Sequence, residues 1–316
     1  MGLILVSVIV ALAAIAVARL YQRALQQARE RISNGRTIRT AHGPIEYAEA
    51  GHGSPLLLIH GAGGGFDQGL EFAASLVARG FRVIAMSRFG YLGTPLPVNA
   101  SAEAQADAHD ALLEALHIER ATVIGASAGA PSAMQLAIRH PKRVAALVLL
   151  VPAAYAPHEL GRGSLETPGG TGFLFSTALQ SDFLYWLASH VAKGFVNRAI
   201  LATPSRVVAA ASPAEQARVA RVRDHILPVS ARREGLLNDA RITSSLPRYD
   251  LDRITAPTLT VSAEDDLYGT FAPAKYTAQS VPHGKFLGLK RGGHIWAGHD
   301  AEVAGVITEF VRGAAQ

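Results

Sequence analysis

Apolar residues in this chain fall into short continuous runs that are separated by longer amphipathic stretches. The runs lack the alternation of a half-exposed strand, so they predict strands covered on both faces. These strands are predicted at residues 56–59, 83–86, 122–124 and 146–151. Helices are predicted between them at residues 70–79, 102–116 and 130–140. This order predicts an α/β fold with a mostly parallel central sheet and helices on both of its faces.

Two further patterns flank this region. Residues 37–40 and 45–49 are short β patterns joined by a turn at His42-Gly43, which predicts an antiparallel hairpin. Two more strands are predicted late in the chain, at residues 258–262 and 285–289, and a closing helix at 301–312.

About a hundred residues between Val151 and Pro257 interrupt the alternation. A structureless loop of this length is uncommon in a compact domain, so we expect an inserted helical cap at about 153–250. Ser212 and Pro213 have the residue types of an N-cap and a first helical position. The aromatic residues of the cap either line an apolar substrate pocket or pack only against each other. They are Phe173, Phe175, Phe183, Tyr185 and Trp186, of which Phe173, Phe183 and Trp186 are our substrate-binding candidates.

Residues 2–18 form an uncharged, mostly aliphatic run that ends at Arg19. Seventeen residues are at the short end of what spans a bilayer as a helix. Arginines follow the run and no basic residue precedes it, which favours a single-pass anchor with the main domain in the cytoplasm. The alternative is a signal peptide cleaved after Ala16-Val17-Ala18, with a secreted or periplasmic product.

These features divide the chain into an N-terminal transmembrane anchor (1–20), a linker or stalk helix (21–35) and a main domain (36–316). Removal of residues 1–31 is therefore expected to leave a soluble, active domain.

Composition excludes some classes of partner. The 316 residues carry a formal charge of +5, but the arginines are scattered, which gives no support to a nucleic-acid surface and fits mild attraction to anionic lipid. The chain has no cysteine, so it has no disulfide, no thiolate nucleophile and no Cys-ligated metal.

The strand predicted at residues 122–124 leads into Gly125-Ala126-Ser127-Ala128-Gly129, and a helical run follows. Gly-x-Ser-x-Gly between a strand and a helix is the pattern of a nucleophile elbow, a turn so sharp that the flanking positions must lack side chains. It would expose Ser127 Oγ above the sheet and aim the N–H of Ala128 at an oxyanion. Without its flanks, the pentapeptide would be equally typical of a small-residue packing turn.

A second glycine-rich turn, His60-Gly61-Ala62-Gly63-Gly64-Gly65, directly follows the strand at 56–59. Its spacing fits neither a dinucleotide fingerprint nor a P-loop. The N–H of Ala62 is the natural second oxyanion donor, and Gly63 is a candidate contact to substrate. We expect His60 to brace this loop rather than to act as a base.

A candidate acid and a candidate base follow the last two strands. Glu264, Asp265 and Asp266 lie after the strand at 258–262, and His294 follows two glycines after the strand at 285–289. Serine, acid and histidine thus occur in the chain order of a nucleophile–acid–base set, each just after a strand. His299 is the rival base. The two adjacent aspartates point to opposite sides in an extended backbone, and alternation alone does not select between them.

With these motifs the sequence resembles the α/β-hydrolase fold superfamily from about residue 37 to the C-terminus. The resemblance implies Ser127 as nucleophile, His294 as base, and Ala62 and Ala128 as amide donors. Relatives place the acid three residues after a strand-end glycine, a position that Ala263 holds here, which selects Asp266.

The sequence also departs from this family. Ser87-Arg88-Phe89-Gly90-Tyr91-Leu92 stands where many relatives have D-x-R-G-x-G. A serine nucleophile argues against the haloalkane dehalogenase and epoxide hydrolase branches.

The activity implied is acyl transfer to water without a metal or organic cofactor. A lipophilic carboxylic ester is the expected substrate. The alternatives are C–C bond hydrolysis, a perhydrolase or acyltransferase reaction on the same triad, and a non-catalytic ligand-binding or scaffolding role.

Overall fold

An eight-stranded sheet lies at the centre of the computed structural model, which describes residues 2–157 and 179–314. Its strands are β1 (Arg36–Thr40), β2 (Gly43–Ala50), β3 (Ser54–Ile59), β4 (Phe81–Met86), β5 (Ala121–Ala126), β6 (Val144–Leu150), β7 (Thr258–Ala263) and β8 (Gly284–Leu289). Their spatial order is β1-β2-β4-β3-β5-β6-β7-β8, and β2 runs in the direction opposite to the other seven strands of this sheet. The mostly parallel sheet and the predicted hairpin are confirmed.

Helices cover both faces of the sheet, as the continuous apolar strands require. Helices of the sheet layers are α2 (Phe66–Val77), α3 (Ala102–Ala115), α4 (Ala130–Arg139), α10 (Phe271–Ser280) and α11 (Asp300–Ala314). Helices α3, α4 and α10 pack on one face, and α2 and α11 pack on the other. All six residues of β5 are buried, because this strand lies in the middle of the sheet.

The cap between β6 and β7 is helical in its described part. It contains α5 (Asp182–Val191), α6 (Lys193–Ala199), α7 (Ser205–Ala210), α8 (Pro213–Asp224) and α9 (Arg233–Thr243). Ser212 is the N-cap of α8, and its side chain accepts a hydrogen bond from Glu215 N at 3.3 Å. Phe173 and Phe175 lie outside the described residues.

The N-terminal run and the predicted stalk form one continuous helix, α1 (Gly2–Ile32). An 18-residue window in it has a mean hydropathy of 2.7 and no buried surface, so its length and composition suit a membrane span, as they also suit a signal sequence.

The polar half of α1 packs against the cap instead of forming a free linker. Tyr21, Leu25, Ala28 and Arg31 recur at helical spacing on one face, and Leu25 and Ala28 are buried. A cut after Arg31 would therefore remove a face that the domain covers, whereas a cut before Tyr21 would remove only exposed helix.

Candidate active site

Ser127 lies immediately after β5, at the carboxyl edge of the sheet where open α/β sheets bind ligands. Its φ of 49° is in the left-handed region, which is uncommon for a residue with a side chain. The two flanking glycines leave no room for a Cβ atom. A Cβ on Gly125 would lie 2.5 Å from Ala133 Cβ, and one on Gly129 would lie 2.5 Å from Ile59 O. The sharp turn predicted from the motif therefore needs both glycines.

His294 lies between Ser127 and Asp266, although the three residues follow different strands. The distance from Ser127 Oγ to His294 Nε2 is 2.8 Å, and that from His294 Nδ1 to Asp266 Oδ2 is 2.8 Å. Since an ionised carboxylate only accepts, Nδ1 carries the imidazole proton and Nε2 accepts from the serine hydroxyl. An imidazole held in this way can take the proton of an attacking hydroxyl.

The adjacent carboxylates, Asp265 and Asp266, have different partners. Asp266 Oδ1 accepts from Tyr268 N at 2.9 Å, and Asp266 Oδ2 also accepts from the hydroxyl of Thr270. Asp265 Oδ1 instead accepts from Gly293 N at 2.8 Å. The side chain of Asp266 thus contacts His294, while that of Asp265 holds the loop that carries it.

The turn Gly61–Gly65 follows β3 and lies beside Ser127. Ala62, Ser127 and Ala128 line one cavity. His60 Nε2 accepts from Arg88 N at 3.0 Å, so its Nδ1–H donates to Gly61 O at 2.7 Å. Burial and the charge of Arg88 hold the pKa of His60 well below its ordinary value, which keeps it neutral. These contacts make His60 a brace of the loop.

Two spaces meet at Ser127. The smaller has a volume of about 70 Å³ and is lined mainly by apolar side chains, with Gly63 and His294 also on its wall. The larger has a volume of about 470 Å³ and extends along α9. Only the larger is in the range of ligand pockets, roughly 300–1,000 Å³. Apolar residues on its walls include Leu179, Leu236, Leu237 and Ala240.

The predicted placement of the cap aromatics needs correction. Among the described residues that line these two spaces, neither Phe183 nor Trp186 is present. Both rings pack on Tyr21 of α1, with centroid distances of 5.3 Å for Phe183 and 5.5 Å for Trp186. Trp186 is buried in this packing, whereas Phe183 remains 38% exposed. No local pattern in the sequence indicates that α1 packs at this place. Phe173 lies outside the described residues.

Sequence reasoning missed a buried polar cluster on the other side of the site. Arg88 makes two hydrogen bonds to Asp239 of α9, at 2.7 and 2.5 Å, and one to Ala128 O at 3.3 Å. Tyr91 O–H donates to Asp239 Oδ2 at 2.5 Å and accepts from Gly63 N at 3.2 Å. The departure from the family pattern at residues 87–92 was the one available signal. This cluster joins the cap to both candidate oxyanion segments.

A profile of the alpha/beta hydrolase fold family matches residues 54–296. The 2-hydroxymuconate semialdehyde hydrolase of Pseudomonas sp. (strain CF600) is 38% identical over 120 residues, which are 37% of this chain and 42% of that protein. The chain thus matches about two fifths of the length of such curated relatives.

Solved structures extend the likeness over more of the chain. An alpha/beta hydrolase fold protein from Nakamurella multipartita is 29% identical with a TM-score of 0.71, covering 89% of this chain and 100% of that one. A membrane phospholipase A has a TM-score of 0.66 and covers 100% of both chains, at an identity of 20% that bears on the fold alone. With the sheet order, the elbow and the family match over most of its length, this chain belongs to the alpha/beta hydrolase family.

Proposed function

We propose that this protein is a serine hydrolase that cleaves a lipophilic carboxylic ester through an acyl-enzyme. The observation that carries the proposal is the hydrogen-bonded series Asp266–His294–Ser127 opening onto an apolar cavity. A hydroxyl activated by an adjacent base, which is itself oriented by a third group, is the arrangement of a nucleophilic catalyst.

In this mechanism Ser127 Oγ attacks the ester carbonyl carbon while His294 Nε2 takes the hydroxyl proton. Asp266 accepts from Nδ1–H and stabilises the imidazolium that forms. The N–H groups of Ala62 and Ala128 bind the oxyanion, and loss of one such donor typically costs about 10²–10³ in kcat. The imidazolium then protonates the leaving alcohol. Water, deprotonated by the same imidazole, hydrolyses the acyl-enzyme and releases the acid and Ser127.

The substrate class follows from the cavity and from α1. The smaller space has no acidic, lysine or arginine side chain among its described lining residues. In the larger space, Asp239 is already paired with Arg88. Long apolar groups bind such walls with little desolvation cost. We further propose that α1 anchors the protein in a bilayer with the domain on the cytoplasmic side, where a lipophilic ester is at hand.

Hydrolysis of a carbon–carbon bond on the same triad is the second candidate. The relative named 2-hydroxymuconate semialdehyde hydrolase favours it, because the substrate in that name is a carboxylate with an aldehyde group and not an ester. Among the described lining residues of the larger space, Arg233 is the cationic side chain available to such an anion.

Labelling with a fluorophosphonate probe tests the nucleophile. Wild-type protein should be labelled and Ser127→Ala should not; absence of labelling in both would support a non-catalytic role. Turnover of p-nitrophenyl esters of increasing chain length, compared with 2-hydroxymuconate semialdehyde, then separates the two hydrolases. A higher kcat/KM for the semialdehyde than for every ester would overturn the ester proposal.

A further inference from the structure

In the last turn of α1, Arg31 makes hydrogen bonds to the catalytic domain and to the cap. Its Nε donates to Asp67 Oδ2 at 3.0 Å. Its NH2 group donates to two carbonyl oxygens of the cap, Leu227 O at 2.7 Å and Asp224 O at 3.1 Å. Arg31 therefore joins three parts of the molecule: α1, the start of α2 and the cap at the end of α8 and just beyond it.

Asp67 connects Arg31 to a second arginine that is deeper in the structure. Arg232 NH2 donates to Asp67 Oδ2 at 2.8 Å, and Arg232 NH1 donates to Asp67 Oδ1 at 3.1 Å. Side-chain exposure is 0% for Arg232 and 1% for Asp67. A buried ion pair of this kind is costly to break, since either partner alone would be left as an unpaired charge.

The Asp67–Arg232 pair contacts the candidate oxyanion loop directly. Arg232 NH1 donates to Gly64 O as well as to Asp67. The loop is seated closely on the pair, because a Cβ on Gly65 would lie 2.7 Å from Arg232 NH1 and 3.0 Å from Asp67 Oδ1. Gly64 N in turn donates to Gly61 O at 3.3 Å, closing the turn that carries Ala62. The contacts thus run without a break from Arg31 to the turn that presents Ala62 N–H.

The charge state of Asp67 agrees with this role. Burial raises the pKa of its carboxyl, but Arg232 and the other cations around it lower the pKa by more than burial raises it, to about 2. The carboxylate is therefore ionised at neutral pH, and it can hold both guanidinium groups at once.

We propose that Arg31 is a positioning residue for the hydrolytic reaction: through Asp67 and Arg232 it fixes the loop Gly61–Gly65 where Ala62 N–H meets the oxyanion. The end of α1 is then part of the support of the active site as well as an attachment. This inference rests on the proposed function for its kinetic consequence. The contact itself can be tested without any turnover.

The experiment compares Arg31→Gln with wild-type full-length protein in detergent. Misplacement of one oxyanion donor should lower kcat for a p-nitrophenyl ester by about five- to tenfold, a fraction of the loss from deleting the donor. KM should stay within about twofold, because the donor interacts more strongly in the transition state than in the bound substrate. Amide hydrogen exchange in a peptide covering residues 60–66 should be faster in the variant.

Two variants of the same helix serve as controls. Arg29→Gln removes an equal charge from an exposed position two residues earlier, and its kcat and exchange should equal those of wild type. Arg31→Lys keeps the charge near Asp67 and should retain more kcat than Arg31→Gln. If Arg31→Gln does not fold, the same two measurements are made on Arg31→Lys, which still lacks the forked contact to the cap carbonyls. Its kcat should then be lower and its exchange faster than in wild type, and wild-type values of both would overturn the inference.

The outcomes are distinguishable. Unchanged exchange and unchanged kcat in Arg31→Gln would overturn the inference, as would equal losses in Arg29→Gln. An increase in KM with kcat unchanged would also overturn it, since that result assigns Arg31 to substrate binding. Wild-type protein without Ser127-dependent turnover would refute the proposed function, and the exchange comparison would still decide whether Arg31 holds the loop.

Discussion

Replacing Asp266 by asparagine tests the site through the tautomer of His294. In wild type, Asp266 Oδ1 accepts from Tyr268 N and Oδ2 accepts from His294 Nδ1–H. Asparagine has one acceptor oxygen, and the fixed N–H of Tyr268 orients that oxygen toward itself. The amide NH2 then faces Nδ1, so the imidazole must carry its proton on Nε2. In that tautomer Nε2 cannot accept the proton of Ser127.

The expected loss is large because both functions of the carboxylate disappear together. A triad aspartate changed to asparagine drops kcat by about 10⁴, through the wrong tautomer and a destabilised imidazolium. Initial rates with a p-nitrophenyl ester give kcat, and circular dichroism with thermal unfolding shows whether the variant is folded. Residual fluorophosphonate labelling should slow in parallel with kcat.

Asp265→Asn is the matched control. Asp265 accepts one hydrogen bond, from Gly293 N, and an asparagine oxygen can accept it equally well. Its kcat should stay within about threefold of wild type, because no tautomer or charge at His294 depends on it. A 10⁴-fold loss in Asp265→Asn with a nearly normal Asp266→Asn would refute the assignment.

Three further outcomes follow from the cavity, a buried histidine and the N-terminal helix. Leu236→Trp, which narrows both spaces at Ser127, should lower kcat/KM for long-chain esters relative to acetate esters by about tenfold or more, while Trp186→Phe leaves the chain-length profile unchanged. Burial lowers the pKa of His109 to about 3. The contribution of this residue to stability is therefore complete above about pH 6.5. Between about pH 6.5 and pH 3 the free energy of unfolding should fall by up to about 1.4 kcal/mol per pH unit, a slope that is smaller in His109→Gln. Removal of residues 1–20 should give a soluble enzyme of normal kcat, whereas removal of 1–31 should lower the free energy of unfolding by about 2 kcal/mol or more, the burial of one leucine, as measured in urea.

Local periodicity was enough to predict the architecture. Continuous apolar runs and the alternation of strands with helices are short-range signals, and they correctly indicated the parallel sheet, the hairpin and the N-cap at Ser212. Local periodicity could not predict the docking of the polar half of α1, because a helix pattern shows that one face is apolar without showing which surface covers it. Tyr21, Leu25 and Ala28 meet the cap, a partner about 160 or more residues away in sequence.

In the candidate site, too, residues within local motifs could be predicted, and contacts between distant segments could not. Ser127 and His294 follow from motifs and chain order, and the structure brings their side chains into hydrogen-bond contact. For Trp186 the sequence leaves open whether the ring packs or contacts a ligand, since an aromatic residue on a cap helix suits either, and in the structure the ring packs on Tyr21. Asp67 and Arg232 carried no signal at all. Their pairing joins positions 165 apart, and single charged residues in a sequence give no indication that they are buried.

In the proposed bilayer orientation, the unbroken helix α1 fixes the direction in which the domain faces relative to the proposed anchor. In an α-helix each residue adds about 1.5 Å of rise and about 100° of turn. Because α1 passes from exposed helix to a docked face without interruption, one residue inserted before Tyr21 would swing the whole domain about 100° relative to the anchor. Insertion of seven residues would nearly restore the facing while raising the domain by about 10 Å. Under the proposed function and orientation, access to esters embedded in a bilayer would then vary periodically with insert length, and access to water-soluble esters would not.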